Sequence, residues 1–144
     1  MSGQRPSPDH DAASHSLPFV RTVLRRPVVD STSGLARSLI VQGVDELPLL
    51  VWADSQTLGK GQRDSAWWSD DGSLTFTIAF DPAAHGLSVA QEPRLSLATA
   101  VAVIGAINAL GLSIPGIGIR WPNDVEANGR KLGGILPERV EIES

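Results

Sequence analysis

The chain has 144 residues, 42% hydrophobic and 19% charged, which is enough for one modest domain and too few for two of ordinary size. Twelve Lys and Arg against sixteen Asp and Glu give a net charge of −4, which argues against a protein held to nucleic acid mainly through phosphate contacts. With no cysteine, a disulfide scaffold, a thiolate zinc site, an iron–sulfur cluster and a cysteine nucleophile are excluded.

In chain order, residues 1–16 are polar, contain proline and lack periodicity, and are expected to form a disordered leader. They hold no apolar stretch for a secretory signal. His10 and His15 lie there, so a metal cluster or a Ser-His-Asp triad would rest on His85 alone. Residues 19–24 suggest a short strand. Leu35, Ala36, Leu39 and Ile40 then fall at helical spacing, with Asp30, Ser31 or Ser33 as the cap and Gly43 as the stop. Residues 47–53 form an apolar run of buried-strand length. Residues 54–71 have no sustained period and carry glycines, charges and two tryptophans, as a long functional or mobile loop does.

Residues 73–80 alternate cleanly and predict a strand. Pro93 suits the first position of a helix over 94–110, closed by Gly111. That helix is apolar nearly all round, which predicts burial against a sheet. The apolar run at 95–112 is the nearest approach to a membrane span, but Ser96, Thr99, Gly105 and Asn108 interrupt it. A strand over 118–121 leads into Pro122-Asn123-Asp124. A hairpin follows, with Asn128-Gly129 as a type I′ turn between 125–127 and 130–136. Pro137 lacks a ladder donor and marks an edge or strand end. Mixed elements with two hairpin-like segments predict an α+β fold with a mixed or antiparallel sheet packed with helices.

Two segments carry candidate chemistry. Ten of the twelve basic residues are Arg, and the two lysines, Lys60 and Lys131, both stand beside glycines. A small point charge approached closely by a ligand would explain this, as would two solvated residues. Gly59-Lys60-Gly61 is no Walker A loop, because Asp54 stands where that loop needs glycine and Gly61 where it needs Ser or Thr. It is no dinucleotide fingerprint either. What remains is a glycine-rich loop with Lys60, Gln62 and Arg63, followed by Trp67 and Trp68. Such a loop can wrap an anion with backbone N–H groups, or be a surface loop anchored by its tryptophans. In the second segment, Asp124 is followed seven residues later by Lys131 across the turn. Asn123, Asp124 and Lys131 suit a phosphate and its Mg²⁺, and equally suit turn chemistry with a solvated lysine.

Read together, the motifs are more specific. Asp30-Ser31-Thr32-Ser33, then Gln56-Thr57-Leu58-Gly59-Lys60-Gly61-Gln62-Arg63 with Trp67 and Ser69, then Arg120-Trp121-Pro122-Asn123-Asp124 and Lys131-Leu132-Gly133-Gly134-Ile135-Leu136 resemble the biotin–protein ligases, in the same order. The resemblance runs from about residue 30 to 138. It implies the α+β fold shared with lipoate ligases and related to class II aminoacyl-tRNA synthetases. It also implies ATP-dependent attachment of biotin, through biotinyl-5′-AMP, to a lysine of a carboxylase's biotin carrier domain, with Mg²⁺ accompanying the nucleotide and no protein metal ligands.

By that resemblance Lys131 is the catalytic lysine bridging the biotin carboxylate and the α-phosphate. Ser31, Thr32, Ser33, Gln56, Lys60, Gly61, Gln62 and Lys131 are expected at biotin. Lys60, Arg63, Trp67, Asn123 and Asp124 are expected at the nucleotide. The chain departs from the family at Lys60 and Gln62, where the family has arginines, at Asp64, where it has glycine, and at Ser33, where it has Asn. Gln62 removes a cation that helps hold the adenylate.

Residues 17–144 resemble the front portion of the catalytic domain. The family's later Gly-x-Gly-x-Asn strand does not follow, so the fold is expected to be incomplete at its C-terminus. Either the product is shortened or a homodimer completes it. The competing readings are a lipoate–protein ligase and a non-catalytic remnant that at most binds biotin. A cysteine-dependent octanoyl transferase is excluded. Residues 1–29 are too few and too polar for a DNA-binding helix-turn-helix, so no DNA partner is expected. With no membrane segment and a need for ATP, a cytoplasmic location is expected.

Overall fold

The computed structural model describes residues 17–44, 46–69 and 72–142, so the leader expected over 1–16 lies outside the described residues. Six strands and two α-helices follow in the order β1 (Thr22–Val29), α1 (Thr32–Val41), β2 (Leu49–Gln56), β3 (Thr75–Ala79), α2 (Leu95–Ala109), β4 (Ile117–Arg120), β5 (Asp124–Ala127) and β6 (Arg130–Gly134). They build two three-stranded sheets. In the first, β1 lies parallel to β2 and β3 antiparallel to it; the second is the antiparallel meander β4-β5-β6. The expected α+β class with mixed and antiparallel strands is what forms.

The first strand differs from expectation, running over Thr22–Val29 instead of 19–24. Pro27 lies inside this strand, although proline cannot donate to a ladder. β1 is an edge strand, and its register passes from Arg26↔Ala53 to Val28↔Ser55 without needing the missing N–H of Pro27. The parallel crossover from β1 to β2 is α1. Its cap is Ser31, whose Oγ accepts from Gly34 N at 3.3 Å; Gly43 closes it at φ +86°. Ala36 of α1 packs on Leu49 and Val51 of β2, with Leu24, Leu35, Leu39, Val44, Leu47 and Ala79 around them. Burying Leu49 and Val51 fully is worth about 1.5–3 kcal/mol each.

The second strand begins and ends two or three residues later than the apolar run at 47–53, because its ladder to β1 continues to Val29↔Gln56. Polar Asp54, Ser55 and Gln56, expected in the loop, are therefore the end of a strand. The rest of the segment is ordered by local contacts: an isolated bridge joins Lys60 to Ala66 around a 3₁₀ turn at Gln62–Asp64. The strand expected over 73–80 is β3, shorter by two residues at its start and one at its end.

Pro93 does not open α2. It lies inside a 3₁₀ turn, Val89–Arg94, and α2 begins after it at Leu95. The expected burial of α2 against a sheet holds only in part. Ala100 is its one buried residue; the helix contacts β4 and β5, while its Leu97 and Val101 stay exposed. Gly111 closes it at φ +74°. The strand expected over 118–121 is Ile117–Arg120. The hairpin has its I′-type turn, with Asn128 at φ +51° and Gly129 at φ +72°. β6 ends at Gly134, two residues short of the expected 136. A bulge skips Leu132, so that Lys131 faces Glu126 and Gly133 faces Val125.

Candidate functional site

The C-terminal end of β2 meets the N-terminus of α1, which is how a parallel strand–helix crossover gathers polar groups at one place. Gln56 Oε1 accepts from the Thr32 amide at 2.7 Å and from the Thr32 hydroxyl at 3.0 Å. That hydroxyl accepts in turn from Thr77 Oγ1 of β3 at 2.9 Å. The Gln56 amide donates to Ser69 Oγ at 3.1 Å, and the Thr75 hydroxyl donates to the same oxygen at 3.3 Å. Ser31 and Ser33 lie with their hydroxyls 3.1 Å apart. Asp30 is not the helix cap; its Oδ1 accepts from the Thr57 hydroxyl at 2.7 Å. Ser31, Thr32, Ser33 and Gln56, singled out together from sequence, are brought together.

The glycine-rich loop folds back on itself. Gly61 N donates to Ser65 O at 2.7 Å, and Trp67 N donates to Gly59 O at 2.8 Å. Arg63 sits in the left-handed region at φ +55°. Lys60, Gly61, Gln62 and Arg63 line one side of a shallow cleft of about 620 Å³, and Trp121, Pro122, Leu136 and Glu138 line the other. Trp121 is 81% exposed there.

The third part stands on the β5–β6 hairpin. The Lys131 ammonium is 2.7 Å from Asp124 Oδ1. Oδ1 is buried and makes no aligned hydrogen bond, so the contact is ionic in character and the ammonium is the charge that faces it. The side chains are 42% and 19% exposed, so solvent screens the pair in part. Lys131 also lies over the Trp67 ring, 5.1 Å from its centroid. Asn123 is buried and ties the hairpin down: its Nδ2 donates to Ile135 O at 2.9 Å, and Ile135 N donates to Asn123 O at 2.8 Å. Trp67 thus joins the glycine loop to the hairpin lysine, and Trp68, beside it in sequence, is 82% exposed.

Several participants were not singled out as site residues from sequence. Thr75 and Thr77 carry a signal, since their period-two spacing puts both on the face of β3 that meets α1. Ser69 stood in the quoted motif without a role. Leu136 likewise stood in a motif without a role, and Glu138 carries no signal of its own. His85 packs with the rings of Phe19 and Phe80, at 5.0 and 5.8 Å between centroids.

A parallel strand–helix crossover with a glycine-rich loop and a lysine-bearing hairpin defines a class, and the sequence agrees. Residues 26–144 match the sequence profile of the biotin/lipoate A/B protein ligase family, and the chain belongs to that family. The bifunctional ligase/repressor BirA of Bacillus subtilis (strain 168) is 35% identical over 113 residues, covering 77% of this chain and 33% of that protein. The biotin–[acetyl-CoA-carboxylase] ligase of Paracoccus denitrificans is 35% identical over 88 residues, 61% of this chain and 35% of its own.

Among solved structures, the biotin protein ligase from Leishmania major in complex with biotin has a TM-score of 0.68 at 26% identity, covering 83% of this chain and 50% of that one. The biotin acetyl coenzyme A carboxylase synthetase from Helicobacter pylori with bound biotinylated ATP shares the fold, with a TM-score of 0.69 at 22% identity over 80% of this chain and 53% of that one. The described fold therefore matches the part of the biotin protein ligase fold that this chain covers. The chain spans about a third of the length of these curated relatives and about half of these structures. No helix among the described residues is long and apolar enough to cross a membrane.

Proposed function

We propose that the chain serves ATP-dependent biotinylation of a lysine on a biotin carrier domain of a carboxylase, in the cytoplasm, where ATP is available. The observation that carries this reading is the placement of Lys131, held at Asp124 and stacked on Trp67, next to the glycine-rich loop. The names of the relatives support it, as do the complexes of one neighbour with biotin and with biotinyl-5-AMP.

In the first step a carboxylate oxygen of biotin attacks the α-phosphorus of ATP. The bond to the bridging oxygen of the β-phosphate breaks, and pyrophosphate leaves. In the second step the carrier lysine's amine attacks the acyl carbon, AMP leaves, and the amine loses a proton. Charge develops on carboxylate and phosphate oxygens throughout, which calls for positioned cations more than for a nucleophile of the protein's own. Lys131 is assigned to those oxygens, with Lys60 and Arg63 closing over the phosphates from the loop. Gln56 and the Ser31–Ser33 hydroxyls, together with Gly61 and Gln62, are assigned to biotin. Trp67, Asn123 and Asp124 are assigned to the nucleotide end. No cluster of three or more His, Cys, Asp or Glu that could hold a metal occurs among the described residues, and Asp124 Oδ1 already faces Lys131. The residues do not fit a resident divalent ion, and Mg²⁺ would enter as the counter-ion that ATP brings.

The test is biotin-dependent release of pyrophosphate from Mg-ATP, with lipoate and octanoate run in parallel. Release with biotin alone is expected. Release with lipoate alone would move the assignment to the sister ligase, and no release from folded protein would leave a binding remnant.

A further inference from the structure

Trp67 is held between two glycines from different parts of the fold. A Cβ on Gly59 would stand 2.6 Å from Trp67 O, 3.3 Å from Trp67 Cβ and 2.8 Å from Gln56 Nε2. A Cβ on Gly134, at the end of β6, would stand 3.1 Å from Trp67 Cζ3, 3.1 Å from Lys131 Cε and 3.2 Å from Lys131 Nζ. Gly134 does not have a positive φ, so its lack of a side chain is a matter of room and not of backbone conformation. The space that a methyl group would fill is where the end of the Lys131 side chain meets the indole ring edge. The bulge at Leu132 lies between Lys131 and Gly134 in β6, bringing both to this one spot.

We propose that Trp67 and Gly134 form a cradle that sets where the Lys131 ammonium lies, both acting as positioning residues for that lysine. Gly59 sets the cradle's other wall by letting the Trp67 backbone approach. The indole supplies an electron-rich face toward the ammonium, and Gly134 supplies the opening through which it reaches that face. Asp124 holds the ammonium by charge, while the cradle limits its reach and orientation. The importance of that position for turnover rests on the reading given above, whereas the position itself does not.

The chain has two lysines, Lys60 and Lys131, which makes the test direct. The whole chain is trace-acetylated with acetic anhydride beside a reference peptide containing one lysine, and Lys60 and Lys131 are read separately by peptide mass spectrometry. Gly134→Ala and Trp67→Leu are expected to raise Lys131 labelling by about 3-fold to 10-fold, and Trp67→Phe, which keeps an aromatic face, to stay within about 2-fold of wild type. Far-UV circular dichroism checks that each variant is folded; if Gly134→Ala is not, the Trp67 pair decides.

Unchanged Lys131 labelling in the folded variants would overturn the cradle, as would Trp67→Phe labelling as fast as Trp67→Leu. If pyrophosphate release is present, Gly134→Ala is expected to lower kcat by about 10-fold or more with KM for ATP within about 3-fold, the mark of a misplaced group. The labelling result with no pyrophosphate release at all would sink the functional reading and leave the cradle standing.

Discussion

Gln56, the last residue of β2, holds Thr32, the first of α1, by two contacts to one oxygen, at 2.7 Å from the backbone amide and 3.0 Å from the hydroxyl. The same side chain therefore satisfies an unpaired donor of the helix start and is fixed in orientation by it. Gln56→Ala removes that acceptor and leaves the Thr32 amide, on a residue only 4% exposed, without its partner. It is expected to lower stability by about 1–3 kcal/mol and to weaken biotin binding, read by urea denaturation and by calorimetric titration with biotin. Unchanged stability would show that water replaces the amide oxygen there.

Lys131 and Asp124 call for a double-mutant cycle. Lys131→Ala is expected to reduce biotin-dependent pyrophosphate release by about 100-fold or more. It also leaves the buried Asp124 oxygen facing no cation, at a cost of about 1 kcal/mol once screening of the half-exposed lysine is allowed for. Adding Asp124→Asn should recover most of the stability and none of the turnover. Recovery of both would mean that neither charge acts in the reaction.

Fold and site were legible in sequence to different depths. Gly43 and the Asn128-Gly129 turn were readable because each is decided by its own local chemistry, a left-handed stop and an I′ turn, whereas the cap was narrowed only to Asp30, Ser31 or Ser33. The bounds of β1 were not, because Pro27 is harmless only on an edge, and being an edge is a property of the whole sheet. The helix α2 misled for a related reason: with apolar residues on every side, its sequence gives no direction, and packing alone decides that Ala100 is buried while Val101 is exposed. In the site, the spacing of Asp124 and Lys131 across a two-residue turn announced their meeting. Trp67 over Lys131, Thr77 at Thr32 and the role of Gly134 join segments 45 to 67 residues apart, and no local pattern encodes such contacts.

Asn123→Ala removes the side-chain bond to Ile135 O from a position only 7% exposed. A loss of about 1–2 kcal/mol is expected, read as a lower thermal midpoint. The larger amplitude should appear in the residues after Gly134, whose path the Asn123–Ile135 pair fixes. No change in the midpoint would place the anchoring elsewhere.

Gln62 lines the cleft, at the loop position where the resemblance to the biotin–protein ligases implies an arginine. If adenylate is formed, Gln62→Arg is expected to slow its escape by about 10-fold, the effect of one charge-assisted contact. The measurement is release of labelled biotinyl-5′-AMP from the washed complex. Equal escape rates before and after the substitution would remove Gln62 from the account.

The two sheets share no ladder hydrogen bond among the described residues. Among the described residues, Trp67 reaching the Lys131–Gly134 hairpin and the Arg37–Glu138 ion pair at 3.6 Å link the two halves. In hydrogen-exchange terms the chain is expected to behave as two protection blocks, each opening at its own free energy, with a thin seam between them. A ligand that touches both the Gln56 end and the Lys131 hairpin would bind only the closed seam, so its affinity would add directly to the coupling between blocks. Amides of β3 and of β6 would then change from exchanging independently to exchanging as one unit.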